Sequence, residues 1–200
     1  AIADKRLYAI SGSNLYTSDL GAQSQNKIAQ LGVEISKLTY LEDEEILVGI
    51  SKDQVVAFGL DGSNFKPSGQ VYNKSLTIKS FGSNIYIADQ SQNKLFKLIF
   101  SKTDMSEKSE YFKDQANIAQ LIDYAIDGSV YSLSTDGTIA RYSRGNKVSD
   151  FKISIPSQEA IESYRGIFTS EEASDILVSA KIRGSARILR FRKNGDFIKQ

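Results

Sequence analysis

The stretch VYSLS-TDGT-IARYS at residues 130–143 reads as two apolar strands joined by a polar turn. Asp136-Gly137 supplies the positive φ that a tight hairpin requires. The pattern returns as LYAI-SGSN-LYTS (7–18), ILVGI-SKDQ-VVAFGL (46–60), IYIAD-QSQNK-LFKLIF (85–100) and ILVSA-KIRGSAR-ILRFRK (176–193). The first strands begin at Leu7, Ile46, Ile85, Val130 and Ile176, at intervals of 39, 39, 45 and 46 residues. The second strands begin near Leu15, Val55, Leu95, Ile139 and Ile188, at similar spacing. A repeat of roughly 40–45 residues is the length of a four-stranded propeller blade.

Each copy extends in both directions. Upstream strands are read at ISKLTYL (35–41), LTIKSF (76–81), QLIDYAI (120–126) and SYRGIFT (163–169), and more polar downstream ones at GQVYN (69–73), SEYF (109–112), DFKIS (150–154) and DFIKQ (196–200). This gives four strands per copy, a to d. Gly82-Ser83-Asn84, Asp127-Gly128, Arg144-Gly145-Asn146 and Asn194-Gly195 fall where a meander turns. Segment 105–117 is the one place where a short helical excursion competes with a loop.

VVAFGL and LFKLIF are apolar on both faces, as strands covered from both sides should be. A two-sheet sandwich with a wet face alternates more cleanly. The expected fold is therefore all-β, one β-propeller domain over 1–200 with blades at about 1–32, 33–73, 74–115, 116–155 and 156–200. The first blade begins inside its innermost strand, which is truncated. Either five blades close, giving a monomer, or the chain is a fragment of a larger propeller and pairs as a dimer. A face of four five-residue strands covers about 340 Å². Burying its apolar part contributes on the order of 5 kcal/mol, so an open face is costly.

Composition removes much chemistry. The 200 residues carry 25 Lys+Arg and 24 Asp+Glu, with no histidine and no cysteine. Neither a Ser-His-Asp triad, nor a Cys-His dyad, nor an imidazole or thiolate zinc site can be built. Near-neutral charge gives no global reason for a nucleic-acid or membrane-surface partner. No apolar run reaches the 18 or more residues of a membrane span. No cofactor and no metal are expected, and absent cysteine fits a reducing or an oxidising compartment.

The last copy, ARILRFRKNGDFIKQ, resembles the end of an NHL-type repeat: Arg187-Ile188 and Phe191 match, followed by Gly195 in the turn. SQNKLFKLIF (91–100) is a looser version, and the usual b-strand Asp survives as Asp89. DYAIDGSVYSLSTDGTIARYSRG (123–145) looks like propeller segments of uncharacterised bacterial proteins that also carry a PPM-type phosphatase-like domain and a membrane segment. The resemblance implies an interaction or ligand-sensing module, and an extracytoplasmic setting.

Counting back from the strand ends puts Lys37, Lys79, Asp123 and Arg165 on innermost strands, where they form a candidate polar channel. Asp123 and Arg165 share a register in adjacent blades and are positioned to pair. A ring hydrolase, either a glycosidase or lactonase-like, needs two or three converging carboxylates; Asp123 is the one convincing inner-strand candidate, with Glu162 at the margin. Asn93, Asp53 and Asp136 in b–c turns are the outer ligands that a calcium-dependent lactonase would use. The acidic run Glu42-Asp43-Glu44-Glu45 reads as a solvated a–b turn. Residues 181–200 hold seven cations against Asp196, net +6. Within them Arg183, Arg187, Arg190 and Arg192 form a candidate basic surface, with Arg190 and Arg192 on one strand face and Leu189 and Phe191 on the other. Without stacked aromatics a nucleic-acid partner is disfavoured. The expected function is a non-catalytic scaffold offering rim loops to a protein, peptide or carbohydrate, with the hydrolase using Asp123 as the alternative.

Overall fold

A computed structural model describes the chain except at residues 4, 53, 65, 73–74, 102–103, 115, 154–160 and 200. Among the described residues twenty strands form five four-stranded antiparallel sheets, each in chain order. The first holds β1 (Ile2–Ala3), β2 (Arg6–Ser11), β3 (Asn14–Asp19) and β4 (Asn26–Gln30). The second holds β5 (Lys37–Leu41), β6 (Ile46–Ser51), β7 (Gln54–Gly59) and β8 (Lys66–Val71). The third holds β9 (Ser75–Phe81), β10 (Asn84–Asp89), β11 (Lys94–Ser101) and β12 (Asp104–Glu110). The fourth holds β13 (Leu121–Ile126), β14 (Ser129–Ser134), β15 (Ile139–Ser143) and β16 (Asn146–Lys147). The fifth holds β17 (Ile161–Phe168), β18 (Asp175–Ile182), β19 (Ser185–Arg192) and β20 (Phe197–Lys199). These are the blades of a five-bladed β-propeller. The first strand is short: Ile2 stands opposite Leu7 and Ala3 opposite Arg6.

The outermost strands depart from expectation. In the third sheet the strand is Asp104–Glu110 rather than 109–112, so the first six residues of the segment considered for a helix are strand. In the fourth it is only Asn146–Lys147, and residues 151–153 are not strand. Outer strands are polar in sequence, so their bounds leave a weak apolar signature. The ends of the expected strands at 73, 154 and 200 lie outside the described residues, as do the expected blade boundaries around 73–74, 115 and 155–156.

Local turn chemistry explains the hairpins. Arg144 and Gly145 have φ of 51° and 87°, and Arg183 and Gly184 have 48° and 80°. Two successive positive φ angles match the twist of a two-residue hairpin. A second device recurs: an Asp or Asn side chain accepts the amide two residues on. It does so from Asp61 to Ser63 (2.9 Å), Asp89 to Ser91 (3.0 Å), Asp127 to Ser129 (3.1 Å), Asp136 to Thr138 (2.8 Å) and Asn194 to Asp196 (3.1 Å). Such Asx turns fix where a strand ends.

By packing, the chain comprises two compact units, 1–91 with 95–109, and 92–94 with 110–200. In the first unit the second sheet is buried on both faces. Leu47, Val56 and Phe58 meet Tyr8 and Leu15 of the first sheet, while Val48, Ile50, Val55 and Ala57 meet Ile85, Ile87 and Leu98 of the third. This two-sided burial is what the continuous apolar runs require. In the second unit Ala125, Tyr131, Leu133 and Ile139 of the fourth sheet pack on Ile167, Ile176, Val178, Leu189 and Phe191 of the fifth.

Candidate functional site

The inner-strand charges fall in both units. In the first, Lys37 opens β5 opposite Ile50 and is exposed, while Lys79 lies mid-strand on β9 opposite Tyr86. In the second, Asp123 lies on β13 opposite Leu133, and its Oδ2 accepts the Ile167 amide at 3.1 Å. Arg165 is exposed and occupies a bulge: the pairing of β17 with β18 passes from Tyr164–Ala180 to Gly166–Ser179 and skips it. Glu162 is held below its ordinary pKa by the Lys181 ammonium and then by the Gly184 amide.

The basic stretch is less cationic than its sequence count. Arg190 donates to, and pairs with, Asp175. Lys181 pairs with Glu162 at 2.8 Å, and Lys193 with Asp127 at 2.8 Å. Arg183, Arg187 and Arg192 are exposed. Leu189 and Phe191 are buried, so the expected two faces of β19 are present.

The acidic run forms a 3-10 turn over Glu42–Glu44, and Asp43 accepts the Ser83 hydroxyl at 2.9 Å. Of the turn residues weighed as calcium ligands, Asp53 lies outside the described residues. Asn93 Oδ1 already accepts the Ile118 and Ala119 amides at 2.8 and 3.1 Å. Both oxygens of Asp136 are occupied by Thr138, which donates its amide at 2.8 Å and its hydroxyl at 2.9 Å. Among the described residues no three His, Cys, Asp or Glu side chains gather to hold a metal ion. No helix among them is long and apolar enough to cross a membrane.

A feature the sequence did not disclose lies in the second unit: a polar cleft of about 660 Å³ walled by Asn93, Lys94, Glu110, Lys113, Asp114 and Asn117, with Phe112 behind. Three chain segments build it. Turn 92–94 brings Lys94 against Glu110 at 2.9 Å. The connection 111–120 is tied down by the Lys113 amide on Gly145 O (2.9 Å) and the Lys147 amide on Asp114 Oδ2 (2.7 Å). Phe112, on the cleft wall, meets the Tyr142 ring at 4.3 Å between centroids.

Asn93 is the clamp. It sits at φ 54°, a left-handed position that Asn tolerates. Its side chain caps the 3-10 turn Ile118–Gln120, whose own preceding residue, Asn117, makes no capping bond. A second hollow of about 260 Å³ shares Ala116 and Asn117 with the cleft and is lined by Ser132, Ser134, Asp136 and Thr138. Burial holds the Tyr142 phenol there above its ordinary pKa; a hydrogen bond with Ser132 opposes the shift and the Asp114 carboxylate adds to it. The surface thus presents amides, hydroxyls and charges of both signs. Its two aromatic residues, Phe112 and Tyr142, are buried.

No family model matches the sequence, and no curated protein matches it. Solved structures resemble the fold. A chain of a nidogen/laminin complex aligns over 94% of this chain and 72% of its own length, at TM-score 0.66 and 10% identity. A protein of unknown function from Bacteroides thetaiotaomicron aligns over 93% of this chain and 56% of its own, at TM-score 0.68 and 16% identity. Regucalcin, a calcium-binding protein from Agrobacterium tumefaciens, aligns over 89% of this chain and 65% of its own, at TM-score 0.65 and 15% identity. This chain therefore spans between about half and three quarters of these proteins, and at such identities the likeness is one of fold. It is a β-propeller whose structural neighbours include regucalcin and other propeller proteins.

Proposed function

We propose that this chain is a non-catalytic binding module that takes an extended polar segment of a partner protein in the cleft of its second unit. The observation that carries the reading is the composition of that cleft: the paired Lys94 and Glu110, the further charges of Lys113 and Asp114, and the amides of Gln92, Asn93 and Asn117, beside a second hollow lined by hydroxyls. Peptide backbones and side chains offer matching donors and acceptors. A carbohydrate is the weaker fit, because sugar rings stack on open aromatic faces and Phe112 and Tyr142 are buried. The resemblance of residues 123–145 to propellers accompanying PPM-type phosphatase-like domains suits a sensing role of this kind.

The test is selection of a random peptide library on the immobilised chain, run beside a glycan array. Peptides whose binding is lost on Asn93→Ala or Lys113→Glu support the reading. Glycan binding with the same sensitivity, or peptide binding indifferent to both variants, contradicts it. The competing hydrolase reading requires Asp123. Turnover of a glycoside or lactone that vanishes in Asp123→Asn would establish it in place of a binding module.

A further inference from the structure

The fourth sheet is built unlike the second. The second is apolar on both faces, with Leu47, Val56 and Phe58 on one and Val48, Ile50 and Val55 on the other. In the fourth, Tyr131-Ser132-Leu133-Ser134 alternates. Tyr131 and Leu133 enter the core shared with the fifth sheet, so Ser132 and Ser134 point to the opposite face. There Ser132 stands opposite Ala140, and two small residues across a rung leave room above the sheet. The hollow of about 260 Å³ lies at this place. Hydroxyls where another repeat carries aliphatic core mark a surface that serves something besides packing.

The hollow is held in shape from two sides. Its wall at Asn117, Ile118 and Gln120 is fixed by the Asn93 side chain on the Ile118 and Ala119 amides, and by the Thr135 amide on Gln120 O at 2.9 Å. Its buried polar members, Ser132 and Tyr142, are uncharged and bonded to each other. The Ser134 hydroxyl and the Asn117 and Gln120 carboxamides are neutral too. Among the described residues these three side chains have no hydrogen-bond partner. Of the two charged residues on the wall, Asp136 has both oxygens taken by Thr138, and Lys147 is exposed.

A neutral, polar guest follows from this set. A charged side chain would give up its hydration to buried groups that carry no opposite charge, and an aliphatic one would leave hydroxyls and carboxamides unpaired. At about 260 Å³ the hollow falls below the roughly 300–1,000 Å³ of sites for drug-sized ligands, so the guest is of side-chain size. The hollow shares Ala116 and Asn117 with the cleft. We propose that it takes a glutamine or asparagine side chain of the segment bound in the cleft. A carboxamide combines donors and an acceptor oxygen in one plane, and so complements Asn117, Gln120 and Ser134. The inference rests on the peptide reading of the cleft and names the residue type that reading leaves open.

The probe is a positional-scanning nonapeptide library whose pools fix one position as Gln, Asn, Ser, Glu, Lys or Leu, read by retention on the immobilised full chain. At one position Gln or Asn should be retained about tenfold over Glu, Lys and Leu. Ser134→Val, which makes the floor apolar at a half-buried strand position, should move that preference to Leu. Gln120→Ala keeps the carbonyl tie to Thr135 and should shrink the preference about threefold. Circular dichroism confirms the fold of both variants. Lys113 lies on the cleft and not on the hollow, so Lys113→Glu should lower retention overall and leave the preference in place. Retention sensitive to Lys113→Glu but without a carboxamide preference, or with one that neither hollow variant alters, overturns this inference and leaves the cleft reading standing. A preference for Ser, Glu, Lys or Leu in the unaltered chain overturns it likewise. Retention indifferent to Lys113→Glu removes the cleft reading, and this inference with it.

Discussion

Asn93 offers the sharpest test of how the cleft is held. Its Oδ1 receives the Ile118 and Ala119 amides, and Ile118 is buried while Ala119 is exposed. Replacing a capping side chain by Ala typically costs about 1 kcal/mol, and the exposed second amide adds about 0.5 kcal/mol. Ala in the left-handed conformation at this position costs about a further 1 kcal/mol. Asn93→Ala should therefore destabilise by about 2.5 kcal/mol. Asn93→Gly keeps the backbone unstrained but loses the caps, for about 1.5 kcal/mol. Asn93→Asp retains the acceptor and loses only the long 3.4 Å bond to Ala116 O, so it should stay within about 0.5 kcal/mol. Urea unfolding gives the order, and amide exchange at Ile118 and Ala119 locates the effect. Equal values for the three variants, or unaltered exchange in the Ala variant, would refute the clamp.

Three further outcomes follow from the buried polar groups. Lys193 reaches Asp127, whose side chain is only 5% exposed, and also donates to Ser170 O at 2.9 Å. Lys193→Met should therefore cost about 3 kcal/mol in urea unfolding, because it strands a carboxylate. A loss under about 1 kcal/mol would show the pair to be well hydrated. The Tyr131 hydroxyl is buried with no partner in hydrogen-bonding geometry, although Asp127 lies near enough to act on it. Tyr131→Phe should be neutral or stabilising, and a loss above about 1 kcal/mol in thermal unfolding would mean the hydroxyl is bonded after all. Burial pushes the Tyr131 phenol from 10.0 up to about 12 and raises those of Tyr72, Tyr111, Tyr142 and Tyr164. Each favours the folded state while protonated, so this stability is complete below pH 10 and lost as pH rises through 12. Melting temperature should fall across that window, with tyrosinate absorbance appearing only as the chain unfolds; early tyrosinate in folded protein would contradict it.

The b and c strands are legible in the sequence because two-sided burial forces continuous apolar runs such as VVAFGL, and because Asp-Gly and Asn-Gly turns announce themselves. The outer strands are not: Asn146–Lys147 is polar and exposed, so no pattern separates it from loop. Counting along β17 assumes regular alternation, and the bulge at Arg165 breaks that count without leaving a compositional mark. The net +6 of residues 181–200 is a true sum and a poor guide to the surface. Asp175, Glu162 and Asp127, which compensate three of the cations, come from elsewhere in the sequence. The cleft was hidden for the same reason, being walled by turns and a connection distant from one another in the chain. Its one local signal is Asn93 in a turn where a left-handed residue is needed. That its side chain would cap a turn 25 residues later is a property of the fold.

The repeat itself is tested most directly by interstrand Hα–Hα and amide contacts in a multidimensional NMR spectrum of the intact chain. The account predicts antiparallel contacts between Tyr8 and Thr17, Val48 and Ala57, Tyr131 and Arg141, and Val178 and Leu189. Every strand should pair only with its chain neighbours inside its own repeat. Contacts joining strands of different repeats into one continuous sheet, or helical contacts through any of these hairpins, would contradict it.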